Sequence, residues 1–354
     1  MSVSSLSSSA AHQSRTATAA GQSLPPPLHG FTFLEHYHSA PSHDTFIARD
    51  VRQQQSDGGE GEKVIIRVYA IEYLRRDEET RLAIERECLA ARVVAHPHIL
   101  PLGRPFATKT DVFLVERYCA GGCLHDLIAT AAEEPPTVPA PSGPAADAAP
   151  PPTPPRCRSG VPSGAVRRYT RELLSAVDHL HRTCRLAHRN IRLENLFVDE
   201  EGHIHLGGFG LCAALPPPHL AAADGLPGGG GGSSGSAASA SPALLRLCCG
   251  ARHYAAPELV QGRPYHGEAV DAWACGVVLV ALLSGGLLFG TDDGDEALFS
   301  VLGGDVEAHL ARHPAMAAVA DPQAVDLARN LLRANPHVRF TVTEALEHPY
   351  LATP

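Results

Sequence analysis

The order of strand-like and helix-like patterning constrains the fold of this chain more than any other feature. Three runs rich in β-branched and aromatic residues, at 45–49, 64–70 and 112–117, lie in the first third of the sequence. A single stretch with helical spacing of apolar residues, at 77–94, interrupts them. Because short strands of this kind pair into a sheet that a helix can cover, we expect a small sheet-plus-helix lobe at 29–118.

The second half of the chain has a different pattern. Apolar residues recur mainly at helical spacing, two short strand-like pieces lie at 196–198 and 203–206, and a last helix closes at 345–348. The longest apolar run, at 276–290, is broken by a serine and two glycines, which indicates a buried helix and its exit rather than a membrane span. Strands followed by helices predict an α+β fold with a larger, mostly helical lobe at 164–351.

Three segments rich in proline, glycine, serine and alanine flank or separate these stretches. They lie at 1–28, 129–163 and 215–243, in a chain of 354 residues with 30 prolines and 32 glycines. Such segments lack the apolar side chains that would offset the entropy of ordering the backbone, so we expect them to be disordered. The predicted organisation is a disordered tail and one domain at 29–351 that carries two disordered insertions.

Charge and cysteine content exclude several classes of protein. The net charge of −9 argues against binding to nucleic acid by phosphate neutralisation. The nine cysteines include no C-x-x-C pair, which suits reduced thiols in a reducing compartment. The N-terminal segment lacks the apolar core of a signal peptide. We therefore expect a cytoplasmic protein that binds neither nucleic acid nor membrane.

Four short motifs follow one another in the second half of the chain. Residues 188–195 read HRNIRLEN, residues 208–210 read GFG, residues 249–258 read CGARHYAAPE, and residues 271–276 read DAWACG. In this order and spacing they resemble the catalytic loop, the D-F-G motif, the activation-segment end with A-P-E, and the following helix of protein kinases. The resemblance covers roughly 29–351 and is to Ser/Thr kinases of the calmodulin-dependent and AMP-activated group. It implies a bilobal protein-kinase fold.

The resemblance also implies phosphoryl transfer from ATP, with Mg²⁺ neutralising the charge that develops on the phosphates. At the matching positions both catalytic carboxylates are replaced. Asn190 stands in place of the aspartate that accepts the substrate proton, and Gly208 in place of the metal-holding aspartate of D-F-G. Arg67 and Arg192 stand in place of two lysines, an exchange that is not conservative at a close-fitted site. Asn195, the second metal ligand of the family, is kept.

The phosphate-cradling loop has also lost its glycines. If Phe46 matches the valine of G-x-G-x-x-G-x-V, then Ser39, Pro41 and Asp44 occupy the glycine positions, and residues 33–48 contain no glycine at all. Glycines allow close approach of the backbone to phosphate, whereas Pro41 lacks an N–H group and Asp44 would repel a triphosphate.

Larger side chains occupy the positions that would surround adenine. The residues that match a valine, an alanine and a leucine of the family are Phe46, Ile65 and Phe197. Added volume in a closely packed pocket displaces whatever would otherwise fill it. The gatekeeper position at the back of the pocket is Glu116, a carboxylate that needs a partner if it is buried. We predict a cluster of Glu87, Arg67 and Glu116 that plugs the site, although Arg67 and Glu87 could equally form a plain structural ion pair.

The positions that hold the family's scaffold together are kept. Glu258 is expected to pair with Arg339, and Asp271 to hold the backbone of the loop at His188. His188 and Phe209 are expected to stack in the spine of the domain.

The resemblance also implies that the usual phosphorylation site of the activation segment is missing. Leu247 stands at the position of the activating threonine, while Arg189, which would bind the phosphate, is retained.

Two His-x-His pairs could hold a metal ion. They are His36 with His38, and His203 with His205. Alternating histidines on a strand are more often surface residues, and no third ligand follows at a suitable spacing, so we expect no metal site.

Retained scaffold with replaced catalytic carboxylates predicts a pseudokinase. We expect it to act as a scaffold or allosteric regulator of a protein partner, such as another kinase or a kinase substrate, and to need no cofactor. One alternative is a weak or unconventional Ser/Thr kinase that uses ATP and Mg²⁺. Another is a peptide-docking module that uses the large-lobe groove near Glu258.

Overall fold

The structure is a computed structural model that describes residues 24–53, 61–103, 105–133, 161–216, 244–245, 247, 249–289, 308, 316, 319 and 321–352. The chain divides into two compact units, Met1–Arg81 with Pro101–Tyr118 and Leu82–Leu100 with Cys119–Pro354. The predicted disordered tail and both predicted insertions lie mostly outside the described residues.

The first unit is built on one five-stranded antiparallel sheet. Its strands are β1 (Phe31–Ala40), β2 (His43–Asp50), β3 (Glu62–Ala70), β4 (Phe106–Ala107) and β5 (Asp111–Arg117), in the order β1-β2-β3-β5-β4. Helix α1 (Ile71–Arg76) follows β3, and α2 (Glu78–Val93) begins in this unit. The three predicted strands and the predicted helix at 77–94 are confirmed.

Strand β1 was not predicted, and its pairing explains why. The register against β2 shifts between Phe33 and Glu35 and again between His36 and His38. Each irregularity resets the alternation of inward and outward side chains, so the sequence of β1 does not have the period of two by which a strand is recognised.

The sheet has two chemically different faces. One face carries the apolar core of the unit, which consists of Phe31, Phe33, Phe46, Ala48, Val64, Ile66, Phe113 and Val115. Ile65 and Arg67 point to the other face, since side chains alternate along a strand. Glu116 shares that second face because it pairs directly with Ile65.

The predicted match of Phe46 to the valine of the glycine-rich loop is wrong. Phe46 pairs with Ile66 and is buried in the apolar core, on the face opposite to Ile65. The residues of β2 that share the face of Ile65 and Arg67 are Ile47 and Thr45, their direct partners in the register. A shift of one residue moves every side chain to the other face, so Ser39, Pro41 and Asp44 also lose their assignment to the glycine positions.

The second unit is mostly helical, as the α+β class predicts. It contains the rest of α2 and the helices α3 (Leu124–Glu133), α4 (Ser163–Asp178), α5 (Pro257–Val260), α6 (Gly267–Ser284), α7 (Pro322–Leu331), α8 (Val342–Leu346) and α9 (Pro349–Ala352). Two small antiparallel ladders join β6 (Leu186–Ala187) to β9 (Ala213–Ala214) and β7 (Leu196–Val198) to β8 (Ile204–Leu206).

The edges of the predicted insertions need correction. Residues 129–133 belong to α3, and α4 already begins at Ser163, so the segment 129–163 is ordered at both ends. Leu28, at the end of the predicted tail, forms a bridge with Phe31. Proline-rich composition did not mark the residues at which these helices end and begin.

Helix α6 is the centre of the second unit. By length and composition it could cross a membrane, but 89% of its apolar window is buried inside the protein, which is typical of a core helix. It ends at Gly285, whose φ of 80° is a left-handed C-cap. The predicted buried helix and its exit are confirmed.

A buried ion pair ties α5 to the segment between α7 and α8. The Arg339 guanidinium donates to both carboxylate oxygens of Glu258, at 2.7 and 3.0 Å. The Arg339 side chain is fully buried, and its remaining donors reach the carbonyl oxygens of Ala269 and Arg333 at 2.8 and 2.9 Å. The predicted pair is confirmed.

Removing one member of this pair should strongly destabilise the chain. Arg339→Met leaves the Glu258 carboxylate buried without its counter-ion, and we expect the free energy of unfolding to fall by roughly 3–5 kcal/mol. Arg76→Met is the matched control, because Arg76 and Glu72 form an exposed pair with side chains 77% and 74% accessible. Denaturant unfolding of the full chain measures both variants, and similar losses in the two would contradict the structural role of the Glu258 pair.

Candidate functional site

The loop at 188–195 is fixed by a carboxylate from α6. Both oxygens of Asp271 accept hydrogen bonds from this loop, from the His188 N–H and the Arg189 N–H, each at 2.7 Å. His188 is fully buried and its ring meets that of Phe209 edge-on, with centroids 4.7 Å apart. The predicted contacts of Asp271 and of His188 with Phe209 are thus present, and the role of the two rings in a spine stays a prediction.

Gly208 has no room for a side chain. Its φ is +78°, and a Cβ built on it would lie 2.6–2.7 Å from the Cγ, Nδ2 and Oδ1 atoms of Asn195. Asn195 in turn donates from Nδ2 to the carbonyl oxygen of Asn190 at 2.8 Å. The three predicted site residues therefore lie together, with the Asn195 carboxamide in the space that a residue-208 side chain would need.

Arg192 is held by a carboxylate two residues away. Its Nε donates to Glu194 Oε2 at 2.9 Å and its Nη2 to Glu194 Oε1 at 2.5 Å. Burial by itself would raise the pKa of Glu194, but the hydrogen bonds and charge of Arg192 outweigh it, so that pKa is lowered. The sequence analysis missed Glu194, although a carboxylate two residues from an arginine was a signal for such a pair.

In the first unit, another arginine is paired with a carboxylate. Arg67 Nη2 donates to Glu116 Oε1 at 2.5 Å, and its Nη1 donates to the Tyr69 hydroxyl at 2.9 Å. Only 19% of the Arg67 side chain and 12% of the Glu116 side chain are exposed. This half of the predicted cluster is confirmed. Glu87 is buried on α2 in the other unit, and its contact with Arg67 stays a prediction.

His43 covers the same face of the sheet. Its ring stacks on Tyr69 with centroids 4.7 Å apart. Burial, followed by the nearby charge of Arg67, lowers the pKa of His43 to about 4. The ring is therefore neutral at physiological pH and packs against the Tyr69 ring.

The tip of the β1–β2 hairpin is closed by polar side chains instead of glycines. The Ser39 hydroxyl donates to Asp44 Oδ1 at 2.5 Å, and His36 Nε2 lies 3.0 Å from that hydroxyl. Asp44 is thus an acceptor within the hairpin itself.

The Arg189 side chain donates hydrogen bonds to two oxygen atoms of the protein. Its Nε donates to the Leu211 carbonyl oxygen at 2.7 Å and its Nη1 to the Tyr265 hydroxyl at 3.1 Å. The Tyr265 hydroxyl donates to the Leu247 carbonyl oxygen at 2.7 Å. A hydroxyl therefore joins Arg189 to the segment that carries Leu247, and the sequence analysis did not identify Tyr265.

The expectation that His205 is a surface residue is wrong. His205 is buried, with 4% of its surface exposed, and its Nε2 lies 2.8 Å from Asp199 Oδ2. Within the part of the chain that the structure describes, no group of three or more His, Cys, Asp and Glu residues has the arrangement of a metal site.

Comparison with known proteins places these features in a family. The family model for the protein kinase domain matches residues 59–351. The chain belongs to the protein kinase family. The predicted α+β kinase fold and the likeness to Ser/Thr kinases of the calmodulin-dependent and AMP-activated group are confirmed.

Several curated kinases are similar to this domain. CBL-interacting protein kinase 31 of Oryza sativa subsp. japonica is 30% identical over 267 residues, which is 75% of this chain and 47% of that protein. The probable serine/threonine-protein kinase HSL1 of Saccharomyces cerevisiae is 27% identical over 281 residues, 79% of this chain and 15% of the relative. The serine/threonine-protein kinase GIN4 of the same yeast is 29% identical over 270 residues, with shares of 76% and 19%. The chain spans less than half the length of each.

The residues of this kinase domain do not fit ATP and Mg²⁺ at the family's positions. Gly208 offers no carboxylate to a metal ion, which leaves Asn195 as the one retained metal ligand of the family among these positions. Arg67 and Arg192, which would contact phosphates, are each paired with a carboxylate of their own unit. Hard cations require oxygen ligands that this arrangement lacks.

A side chain at residue 208 should lower the free energy of unfolding by more than the strain of a left-handed backbone alone. Gly208→Ala adds a Cβ within 2.7 Å of Asn195, and we expect roughly 1–3 kcal/mol of destabilisation from overpacking in addition to the strain of a positive φ. Gly122→Ala is the matched control, since Gly122 has a φ of +69° with nothing within 4 Å of its Cβ position. Denaturant unfolding compares the two. Adding Asn195→Ala should recover part of the loss only at Gly208, and equal losses at both glycines would contradict the packing described.

Proposed function

We propose that this chain is a pseudokinase, a catalytically impaired protein kinase domain that acts as a scaffold or allosteric regulator of a protein partner. The observation that carries the proposal is the glycine at 208, where an added Cβ would lie 2.6–2.7 Å from side-chain atoms of Asn195. Phosphoryl transfer in this family depends on a metal ion held by an aspartate at that position. Here the space for any such side chain is filled.

Two ion pairs of the domain support the same proposal. Arg67 with Glu116 and Arg192 with Glu194 are two arginine–carboxylate pairs, each mostly or half buried. A phosphate at either arginine would compete with that carboxylate, and displacing the carboxylate would leave it partly buried without its counter-ion. Nucleotide binding therefore competes with the fold of the domain itself.

The retained scaffold supports a role as a binding surface. Asp271 and the Glu258–Arg339 pair hold the loops of the second unit in place without any ligand. The Tyr265 hydroxyl holds the segment at Leu247 to Arg189 without a phosphate. A partner would thus meet a surface that is ordered without nucleotide or phosphorylation.

Thermal denaturation with nucleotide tests the proposal. We expect ATP with Mg²⁺ to leave the melting temperature of the full chain unchanged, because a ligand stabilises only the state that binds it. Asn195→Ala is the matched variant, since it removes the one family metal ligand that remains. The response to nucleotide should be absent in both proteins, and a Mg²⁺-dependent rise in the wild type that Asn195→Ala abolishes would contradict the proposal.

The second candidate is a weak Ser/Thr kinase. It is favoured by the retention of Asn195 and by the names of the curated relatives, which are kinases. Transfer of radiolabelled phosphate to the chain or to a generic protein substrate would support it, provided that Asn195→Ala reduces the transfer. Transfer that is equal in the variant comes from a contaminating kinase.

The partner-binding half of the proposal makes a separate prediction. A protein partner should bind the full chain equally well in the presence of ATP and Mg²⁺ and in the presence of a metal chelator. The reason is that the proposed binding surface contains neither nucleotide nor metal ion. Binding measured with purified partner and with Asn195→Ala should also be unchanged. Loss of binding on chelation would show that the domain works through a nucleotide-bound state instead.

A further inference from the structure

Five histidine rings lie side by side in the second unit. They come from the segment after α2, from the turn after α4 and from the β7–β8 hairpin, and they are His96, His98, His179, His203 and His205. The ring centroid of His96 lies 5.2 Å from that of His179 and 5.7 Å from that of His98. The ring centroid of His98 lies 6.0 Å from that of His203 and 6.4 Å from that of His205. The cluster therefore joins three separate parts of the chain.

The segment 94–100 is held to its neighbours by hydrogen bonds at this cluster. The His98 N–H donates to His96 Nδ1 at 3.1 Å, which requires that nitrogen to be unprotonated. His96 Nε2 lies 3.2 Å from the Ser175 hydroxyl on α4. On the other side, Leu100 N–H donates to the Leu206 carbonyl oxygen and Leu206 N–H to the His98 carbonyl oxygen, both at 2.9 Å. A proton on His96 Nδ1 would break the first of these bonds.

Among the described residues, the carboxylates within ion-pair distance of these five rings are those of Glu172 and Asp199. His203 Nδ1 is 2.6 Å from Glu172, and His205 Nε2 is 2.8 Å from Asp199. Glu172 also lies 3.9 Å from Arg168 on α4. These contacts leave His96, His98 and His179 without a carboxylate of their own, although His98 lies 4.0 Å from the Glu172 carboxylate that His203 shares.

Other charged residues near these elements are engaged or exposed. Asp178, beside His179, accepts from the Thr343 hydroxyl at 2.5 Å and lies 3.7 Å from Arg182. Glu200 and Glu201 in the hairpin turn and Arg92 at the end of α2 are exposed to solvent. Protonation of the whole cluster would thus place five imidazolium groups and Arg168 against two carboxylates.

The His96 ring already resists protonation. Burial is the main cause, followed by the neighbouring His179 and His98, and together they lower the pKa of His96 from 6.5 to about 4. In the unfolded chain His96 takes up a proton near its ordinary pKa. The folded state therefore loses stability as the pH falls from 6.5 towards 4.

We propose that the five histidines form a proton-sensitive anchor for the segment 94–100. At neutral pH the uncharged His96 ring accepts the hydrogen bond of the His98 N–H and helps to hold the segment against α4 and the β7–β8 hairpin. On acidification a proton on His96 Nδ1 removes this acceptor and adds a charge beside two further histidine rings, and the segment is released. This device does not depend on whether the domain binds nucleotide.

Hydrogen exchange of the full chain at two pH values tests the anchor. After correction for intrinsic exchange, we expect protection of the amides of residues 98–100 to fall roughly tenfold or more between about pH 7.5 and about pH 5. The decisive variant is His96→Asn with His179→Gln. Asn Oδ1 can accept from the His98 N–H as Nδ1 does, but neither new side chain can take a proton. The variant should retain its protection at the lower pH.

His337→Asn is the matched control, because His337 lies on an exposed turn with only His266 near it. It should lose protection at residues 98–100 as the wild type does. Equal loss in the double variant and the wild type would overturn the proposal, and so would opening of the whole unit at once in the wild type. If the double variant does not fold, His179→Gln alone removes one charge without touching the His98 hydrogen bond. It should move the midpoint of release to lower pH, and an unchanged midpoint would again overturn the proposal.

Discussion

The second unit depends on one buried carboxylate, that of Asp271. It is 1% exposed and accepts hydrogen bonds from the backbone of His188 and Arg189, while His181 Nε2 lies 2.9 Å away. Arg189 has a φ of 61°, a left-handed conformation that costs free energy unless the surroundings hold it. Asp271 supplies that restraint from the core helix α6. The loop with Asn190 and Asn195 is therefore positioned by the core, independently of any ligand.

Each unit satisfies charges of its own. In an active kinase, lysines and carboxylates contact a nucleotide and its metal ions. Here Arg192 is bound by Glu194, Arg67 is bound by Glu116, and the position of the metal-binding aspartate is a glycine packed against Asn195. Each arrangement removes a cost that an empty polar site would carry, since a buried charge without a partner destabilises a fold. Two of these arrangements engage arginines that the family resemblance places near phosphate.

Patterns that depend on neighbouring residues were predicted well, and patterns that depend on register were not. The strands β2, β3 and β5 follow from alternating apolar runs, and the Arg67–Glu116 pair follows from the positions that the family resemblance assigns to these two residues. Strand β1 was missed because its two irregularities break the alternation. Phe46 was assigned to the wrong face because an error of one residue inverts a strand. His205 was expected at the surface, but the carboxylate of Asp199 pairs with it inside the unit.

The sequence by itself determined the family, the division into a sheet unit and a helical unit, and the absence of both catalytic carboxylates. These properties rest on residue identity and on short-range spacing, which can be read without coordinates. Only the tertiary structure decided that Arg192 pairs with Glu194, that Asn195 lies in the space beside Gly208, and that five histidines from three elements meet. Such contacts depend on backbone dihedrals and packing between residues far apart in the chain, and no local pattern encodes those distances.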